Sequence, residues 1–135
     1  MQPLTILFMC PHNAAKSVMA AAYCQQMTAA QQPGWHILTA GTEPDDESAA
    51  AVVALLRSEG LAVTAQKPHR VTEAELAAAD WIVSMGCDLT GLVPPDTAVV
   101  HWDDIPPPSQ DLLGAKQAII NHLVEFVDQL DRVEP

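Results

Sequence analysis

The sequence predicts an α/β fold, a three-layer sandwich with a four-stranded parallel sheet covered by helices on both faces. Leu4 to Met9 (LTILFM) and Trp81 to Met85 (WIVSM) are apolar runs without polar alternation, as expected of strands buried on both sides. Trp35 to Ala40 (WHILTA) and Thr97 to His101 (TAVVH) supply two further strands. Helical segments separate these runs, and strands alternating with helices imply βαβ units. The 135 residues, 49% of them hydrophobic, suffice for one domain over 1–135. A chain of this length buries about two-thirds of its unfolded surface and needs no staples.

Between the first two strands, roughly Ala15 to Ala30 is Ala-rich and full of helix formers, and Gln31-Gln32-Pro33-Gly34 ends it. After a turn at Gly41 to Asp46, Ser48 to Glu59 is helical. Val52, Leu55 and Leu56 share a face there, and Gly60 stands where a C′ residue belongs. Thr72 opens a T-x-x-E capping box with Glu75, predicting a short helix to about Ala79. Trp102 to Ser109 (WDDIPPPS) is a Pro-rich loop. Ser109 is placed to cap the last helix, whose apolar stripe is Leu112, Ile119, Leu123, Val127 and Leu130. No internal repeat, linker or low-complexity segment interrupts this order, so polar loop chemistry should gather at the carboxyl ends of the strands.

Charge narrows the function classes. Seventeen Asp and Glu against six Lys and Arg give a formal net charge of −11. Binding to nucleic acid or an anionic membrane needs basic clusters, so neither partner is expected. No apolar run approaches the ~20 residues that span a bilayer, and Met1-Gln2-Pro3-Leu4 lacks the charged start of a secretory signal. Three cysteines without a C-x-x-C pair point to free thiols in a reducing cytoplasm rather than a disulfide framework.

Cys10 falls where the first strand stops and the first helix starts, in C-P-H-N-A-A-K-S from Cys10 to Ser17. A helix N-terminus favours thiolate, and its unpaired N–H groups form a concave site for a tetrahedral anion. His12, Asn13, Ala14, Ala15 and Lys16 are the expected oxyanion-binding residues, with Lys16 adding a mobile positive charge. Ser17 can hydrogen-bond the thiolate, and Asn13, which tolerates unusual backbone angles, can brace the loop. The combination predicts a nucleophilic cysteine aimed at a bound oxyanion such as phosphate. A solvent-facing His12 is the alternative to one that touches the anion.

Leu4 to Ala22 (LTILFMCPHNAAKSVMAAA) resembles the opening of the low-molecular-weight phosphotyrosine phosphatases and the arsenate reductases that share their fold. The resemblance continues through Thr39-Ala40-Gly41-Thr42, Gly60, Val83-Ser84-Met85-Gly86-Cys87 and Trp102 before the terminal helix, so it covers essentially the whole chain. It implies strand order 2-1-3-4 and catalysis by Cys10, Lys16 and Ser17 without a cofactor. The family carries C-x5-R-S, and Lys16 stands at the arginine; an ammonium brings charge without the bidentate fork, unless Lys67 or Arg70 also reaches the site.

Cys87 resembles the reductases' second cysteine, which attacks the first once arsenate has bound, releases arsenite and leaves a disulfide. A packing thiol is the other reading of Cys87. A third relay cysteine is absent from Leu89 to Pro94, so the resemblance implies a Cys10–Cys87 disulfide or a mixed disulfide, reduced by an external thiol reductant. Cys24, on the first helix, reads as core. The family's acid loop, aligned on Trp102, falls near Pro107-Pro108; Asp103 or Asp104 would then protonate the leaving group, with Asp104 favoured because Ile105-Pro106 follows it. His69, Cys87 and His101 offer no metal-ligand spacing, so no metal is expected. These features predict an arsenate-reductase-like enzyme. The alternatives are a phosphatase acting on a phosphorylated substrate through phosphocysteine and a non-catalytic oxyanion-binding or redox-sensing module.

Overall fold

β1 (Thr5–Met9) occupies the middle of the sheet because residues Ile6 to Met9 are all fully buried, which only an inner strand with both faces covered allows. The computed structural model describes residues 3–29, 34–61 and 67–133. Their order is β1, α1 (Lys16–Thr28), β2 (His36–Ala40), α2 (Ala50–Ser58), α3 (Glu73–Ala78), β3 (Trp81–Ser84), β4 (Ala98–His101) and α4 (Leu112–Val133). The strands form one parallel sheet in the order β2-β1-β3-β4, as the resemblance implies. Met9 pairs with Ala40 and with Ser84, and Ser84 with His101, so the strands finish level. The segments after them, beginning at Cys10, Gly41 and Met85, therefore leave the sheet along one edge.

Alternation along β1 assigns its side chains to two layers. Ile6 and Phe8 join Val83 against α1, α2 and α4, whereas Leu7 and Met9 join Ile82 and Ala40 against Leu76 of α3. The first layer is the larger. Trp102 sits between Phe8 and Phe126, with ring centroids at 6.0 and 5.9 Å, and Trp81 meets Phe126 edge-on at 5.6 Å. α1 is buried continuously from Ser17 to Cys24 because the sheet lies on one side and α2 and α4 on others. Small residues at Ala20, Ala21 and Ala22 allow that close approach.

Local sequence signals set most helix ends. Thr72 and Glu75 form both halves of the capping box. At the end of α2, Gly60 has φ +74° and donates to the Arg57 carbonyl, while the Leu61 N–H donates to Leu56; this pair of bonds is a Schellman motif. The start of α4 differs from expectation. Asp111, not Ser109, caps it, accepting the Gly114 N–H on Oδ1 at 2.9 Å. Ser109 lies in a preceding turn in which the amides of Gln110 and Asp111 donate to the Pro107 carbonyl. Phe126 joins the buried face of α4, where the predicted stripe has half-buried Val127 beside it. β4 is half-buried because it is the sheet edge. The helix-ending Gln31-Gln32-Pro33 lies outside the described residues.

A polar tie crosses this layer. Glu59 accepts from the Tyr23 hydroxyl at 2.6 Å and from the Lys116 ammonium, joining α1, the end of α2 and α4. Lys116 chiefly, then Tyr23, holds the Glu59 carboxyl below the usual glutamate range. A lowered folded-state pKa contributes stability above the unfolded value of about 4.3, and the contribution disappears as pH falls through the folded value. Glu59→Gln should therefore cost about 1–2 kcal/mol at neutral pH. Chemical denaturation at pH 7 and pH 3 should show that difference shrinking at the lower pH.

Candidate functional site

Cys10 leaves β1 on the central strand and is 4% exposed, and the chain then loops to the start of α1. Its thiol meets Ser17: the Ser17 N–H donates to Cys10 Sγ at 3.4 Å and Ser17 Oγ lies 3.2 Å from the same sulfur. Asn13 Nδ2 donates to Ser17 Oγ at 2.9 Å, leaving the serine's own proton free to turn to a thiolate. Asn13 is buried at φ +51°, a left-handed conformation that few side chains tolerate, and its Oδ1 accepts the His69 N–H at 3.1 Å. These bonds make Asn13 the brace of the loop. Its own amide turns inward to the Cys10 carbonyl at 3.3 Å, so it supplies no N–H to an anion, contrary to its place among the expected oxyanion ligands.

The rest of the loop is moulded by neighbouring chain. The amides of Glu43, Asp45 and Ala49 donate to the carbonyls of Pro11, His12 and Ala14, at 2.7, 2.9 and 2.8 Å. With the carbonyls engaged outward, the amides of His12, Ala14, Ala15 and Lys16 have no acceptor among the described residues. α1 begins after Ala15 with no side-chain cap, so the Lys16 N–H at its start stays in this unpaired set, while the next one, that of Ser17, goes to Cys10 Sγ. Gly41 makes the close approach feasible. A Cβ there would lie 2.6 Å from the Pro11 carbonyl oxygen and 3.0 Å from the Cys10 oxygen.

Cys10 opens on a cleft of about 580 Å³. His12, Ala14, Ala15 and Lys16 form the loop side; Asp45 and the start of α2 from Ala49 to Val52 form a second wall, and Pro107 to Ser109 a third. Lys16 makes no ion pair among the described residues, so its charge is available to a guest. Lys67 and Arg70 do not line the cleft; Arg70 instead bridges Gly41 through its backbone. Asp104 is also elsewhere. Its carboxylate is hydrogen-bonded to His122 Nε2 at 2.7 Å, a contact that lowers its pKa, and the part of its loop that reaches the cleft carries two prolines and a serine. His122 is itself stacked on Trp102 at 4.9 Å, which fixes the direction in which Asp104 turns.

The three thiols divide by environment. Cys24 is fully buried on α1, and burial pushes its thiol up to about 12. Cys87 is half-buried and packs against the cluster of Leu7, Met9, Ala40, Leu76 and Ile82 in the α3 layer, not in the cleft wall. Its pKa is pushed up to about 11, mainly by burial and then by the charge of Cys10, while hydrogen bonds with Thr42 and Ser84 pull the other way. Cys87 follows directly on Gly86, whose φ of +95° turns the chain after β3. Among the described residues no three His, Cys, Asp or Glu side chains gather as a metal site. No described helix is long and apolar enough to cross a membrane.

The loop is legible in the sequence, but its supports are not. Gly41, the His69 backbone, Asp45 and the first turn of α2 are far from Cys10 in sequence, and only the glycine after β2 signalled a close approach. Replacing Asn13 with Ala should remove one buried and one partly buried hydrogen bond and strain the left-handed backbone, costing about 2–4 kcal/mol in thermal or chemical unfolding. Alkylation mapped by mass spectrometry should find Cys24 unmodified until unfolding. Cys87 should react faster as pH rises toward about 11, because only its thiolate is nucleophilic.

Residues 5–101 match the family described as low molecular weight phosphotyrosine protein phosphatase. A Halobacterium salinarum protein named "Putative arsenate reductase" is 27% identical over 95% of this chain and 92% of its own length. The solved arsenate reductase from Archaeoglobus fulgidus is 31% identical, covers 93% of this chain and 97% of its own, and superposes with a TM-score of 0.69. The Corynebacterium glutamicum thioredoxin-dependent arsenate reductase superposes with a TM-score of 0.83 at 22% identity over 98% of this chain, which spans 65% of that longer one.

Proposed function

This chain belongs to the low molecular weight phosphotyrosine protein phosphatase family, and from that premise we propose that it is an arsenate reductase in which Cys10 is the nucleophile and Cys87 the resolving thiol. The observation that carries the reading is the set of unpaired amides of His12, Ala14, Ala15 and Lys16 beside a buried thiol at the end of a cleft. Those N–H dipoles and the Lys16 ammonium stabilise a tetrahedral oxyanion, and its central atom then faces Cys10 Sγ. Ser17 holds the sulfur by its N–H and, once the thiol proton has gone, by its hydroxyl.

In the first step the Cys10 thiolate bonds to arsenic and a protonated oxygen leaves as water. In the second, the Cys87 thiolate attacks Cys10 Sγ, and a disulfide forms. The electron pair of the breaking sulfur–arsenic bond stays with arsenic, which leaves as arsenite. Two thiols are oxidised as arsenic gains two electrons, and an external thiol reductant returns the disulfide to the starting state. Cys87 must lose its proton to attack, so its elevated pKa makes this step faster as pH rises.

The position of Cys87 outside the cleft wall favours one second reading, a phosphatase in which water hydrolyses a Cys10 phosphoester and Cys87 takes no part. Turnover of arsenate with a dithiol reductant and of an aryl phosphate separates the two. Cys10→Ser should abolish both activities. Cys87→Ser should reduce arsenate turnover at least 100-fold and leave aryl phosphate hydrolysis within about twofold of wild type. Equal arsenate turnover with and without the Cys87 thiol would remove the resolving role. Tight oxyanion binding without either turnover would leave a binding module.

A further inference from the structure

We propose that His12 is the proton donor to the oxygen that leaves when Cys10 attacks, and that Asp45 is the residue that orients it. The assignment rests on the oxyanion chemistry proposed above and supplies the group that chemistry still lacks. A leaving hydroxide or alkoxide needs a proton in the transition state, and the carboxylate expected from the Pro-rich loop is turned away onto His122. The proton-bearing side chains of the cleft wall are Cys10, His12, Lys16, Asp45 and Ser109. Cys10 is the attacking atom, Lys16 is the charge that the oxyanion requires, and a serine hydroxyl is too weak an acid. His12 and Asp45 remain, and they are already paired.

His12 Nδ1 lies 3.2 Å from Asp45 Oδ1 and 3.1 Å from the Glu43 carbonyl oxygen. Both are acceptors, so Nδ1 carries the hydrogen, and Nε2 is the atom left to exchange a proton with a guest. The backbone repeats the pairing, because the Asp45 N–H donates to the His12 carbonyl. Both side chains are more than half exposed, at 62% and 54%, so solvent can reload the ring after each turnover. The groups that contact the imidazole are the Asp45 carboxylate and the Glu43 carbonyl, and Lys16 and Cys10 line the same cleft. In the step itself, the Cys10 thiolate bonds to the central atom as the bond to the leaving oxygen breaks. That oxygen takes the proton from imidazolium Nε2 and departs as water or an alcohol, and His12 is left neutral.

A proton donor matters most for a poor leaving group, which provides the test. Arsenate, phenyl phosphate and 4-nitrophenyl phosphate would be turned over by wild type, His12→Gln, His12→Ala, Asp45→Asn and Asp104→Asn, with melting curves as the folding control. His12→Gln should lose at least 100-fold in kcat/KM on arsenate or phenyl phosphate and less than tenfold on 4-nitrophenyl phosphate, whose leaving group barely needs the proton. Added imidazole should restore part of the His12→Ala loss. Asp45→Asn should show the same substrate dependence at smaller size. An equal loss on both aryl esters, no loss on the poor leaving groups, or a leaving-group-dependent loss in Asp104→Asn instead would overturn the assignment. A folded wild type that turns over none of the three substrates would overturn the proposed function itself, and this donor with it, an outcome distinguishable from failure of the His12 variants alone.

Discussion

Asn13 holds a left-handed backbone conformation at a buried position, and the geometry around Cys10 follows from that one constraint. Its side chain joins two segments that would otherwise be independent: Nδ2 reaches Ser17 in the first turn of α1, and Oδ1 takes the amide of His69. The reversal at Asn13 lets the chain fold back around Cys10 and enter α1 with its amides unpaired. Asparagine suits the position because it tolerates positive φ and offers both a donor and an acceptor. Gly41 completes the constraint by leaving room for the Pro11 and Cys10 carbonyls.

This construction explains how a chain with a net charge of −11 can hold an anion. In the proposed function the attraction is local, built from backbone dipoles at a helix start and the Lys16 ammonium, and the remote carboxylates are screened over about 8–10 Å in physiological salt. Several of the acidic groups are engaged elsewhere. Asp104 is paired with His122, Glu75 with His69, and Glu59 with Tyr23 and Lys116. The carboxylate that does line the cleft, Asp45, is held by His12. On that proposal, Lys16 brings charge without the bidentate grip of a guanidinium, which puts more of the work on the amides.

Much of the fold was legible because its signals are local. Apolar runs marked the four strands, Gly60 marked the end of α2, and Thr72 with Glu75 marked the start of α3. The start of α4 was misplaced because Ser109 and Asp111 are both plausible caps, and the turn closed on the Pro107 carbonyl decides between them. Phe126 escaped the predicted stripe because a helix under a sheet edge buries a wider arc when aromatic partners, here Trp81 and Trp102, reach out to it. At the site, the loop from Cys10 to Ser17 could be read from strand, thiol and helix in succession. The cleft walls could not, because they come from segments about 40 and 100 residues beyond Cys10 along the chain.

The amino-acid order alone therefore determined the class of fold, the place of the thiol and the chemistry that a thiol at a helix start can perform. These depend on neighbours within one or two turns, where backbone geometry leaves few alternatives. Only the tertiary structure decided which groups share the cleft. It turned Asp104 to His122, set Cys87 in the α3 layer, and brought Asp45 to His12. Those outcomes depend on how the loops after all four strands pack at the carboxyl edge of the sheet, and such contacts between distant segments have no periodicity to announce them.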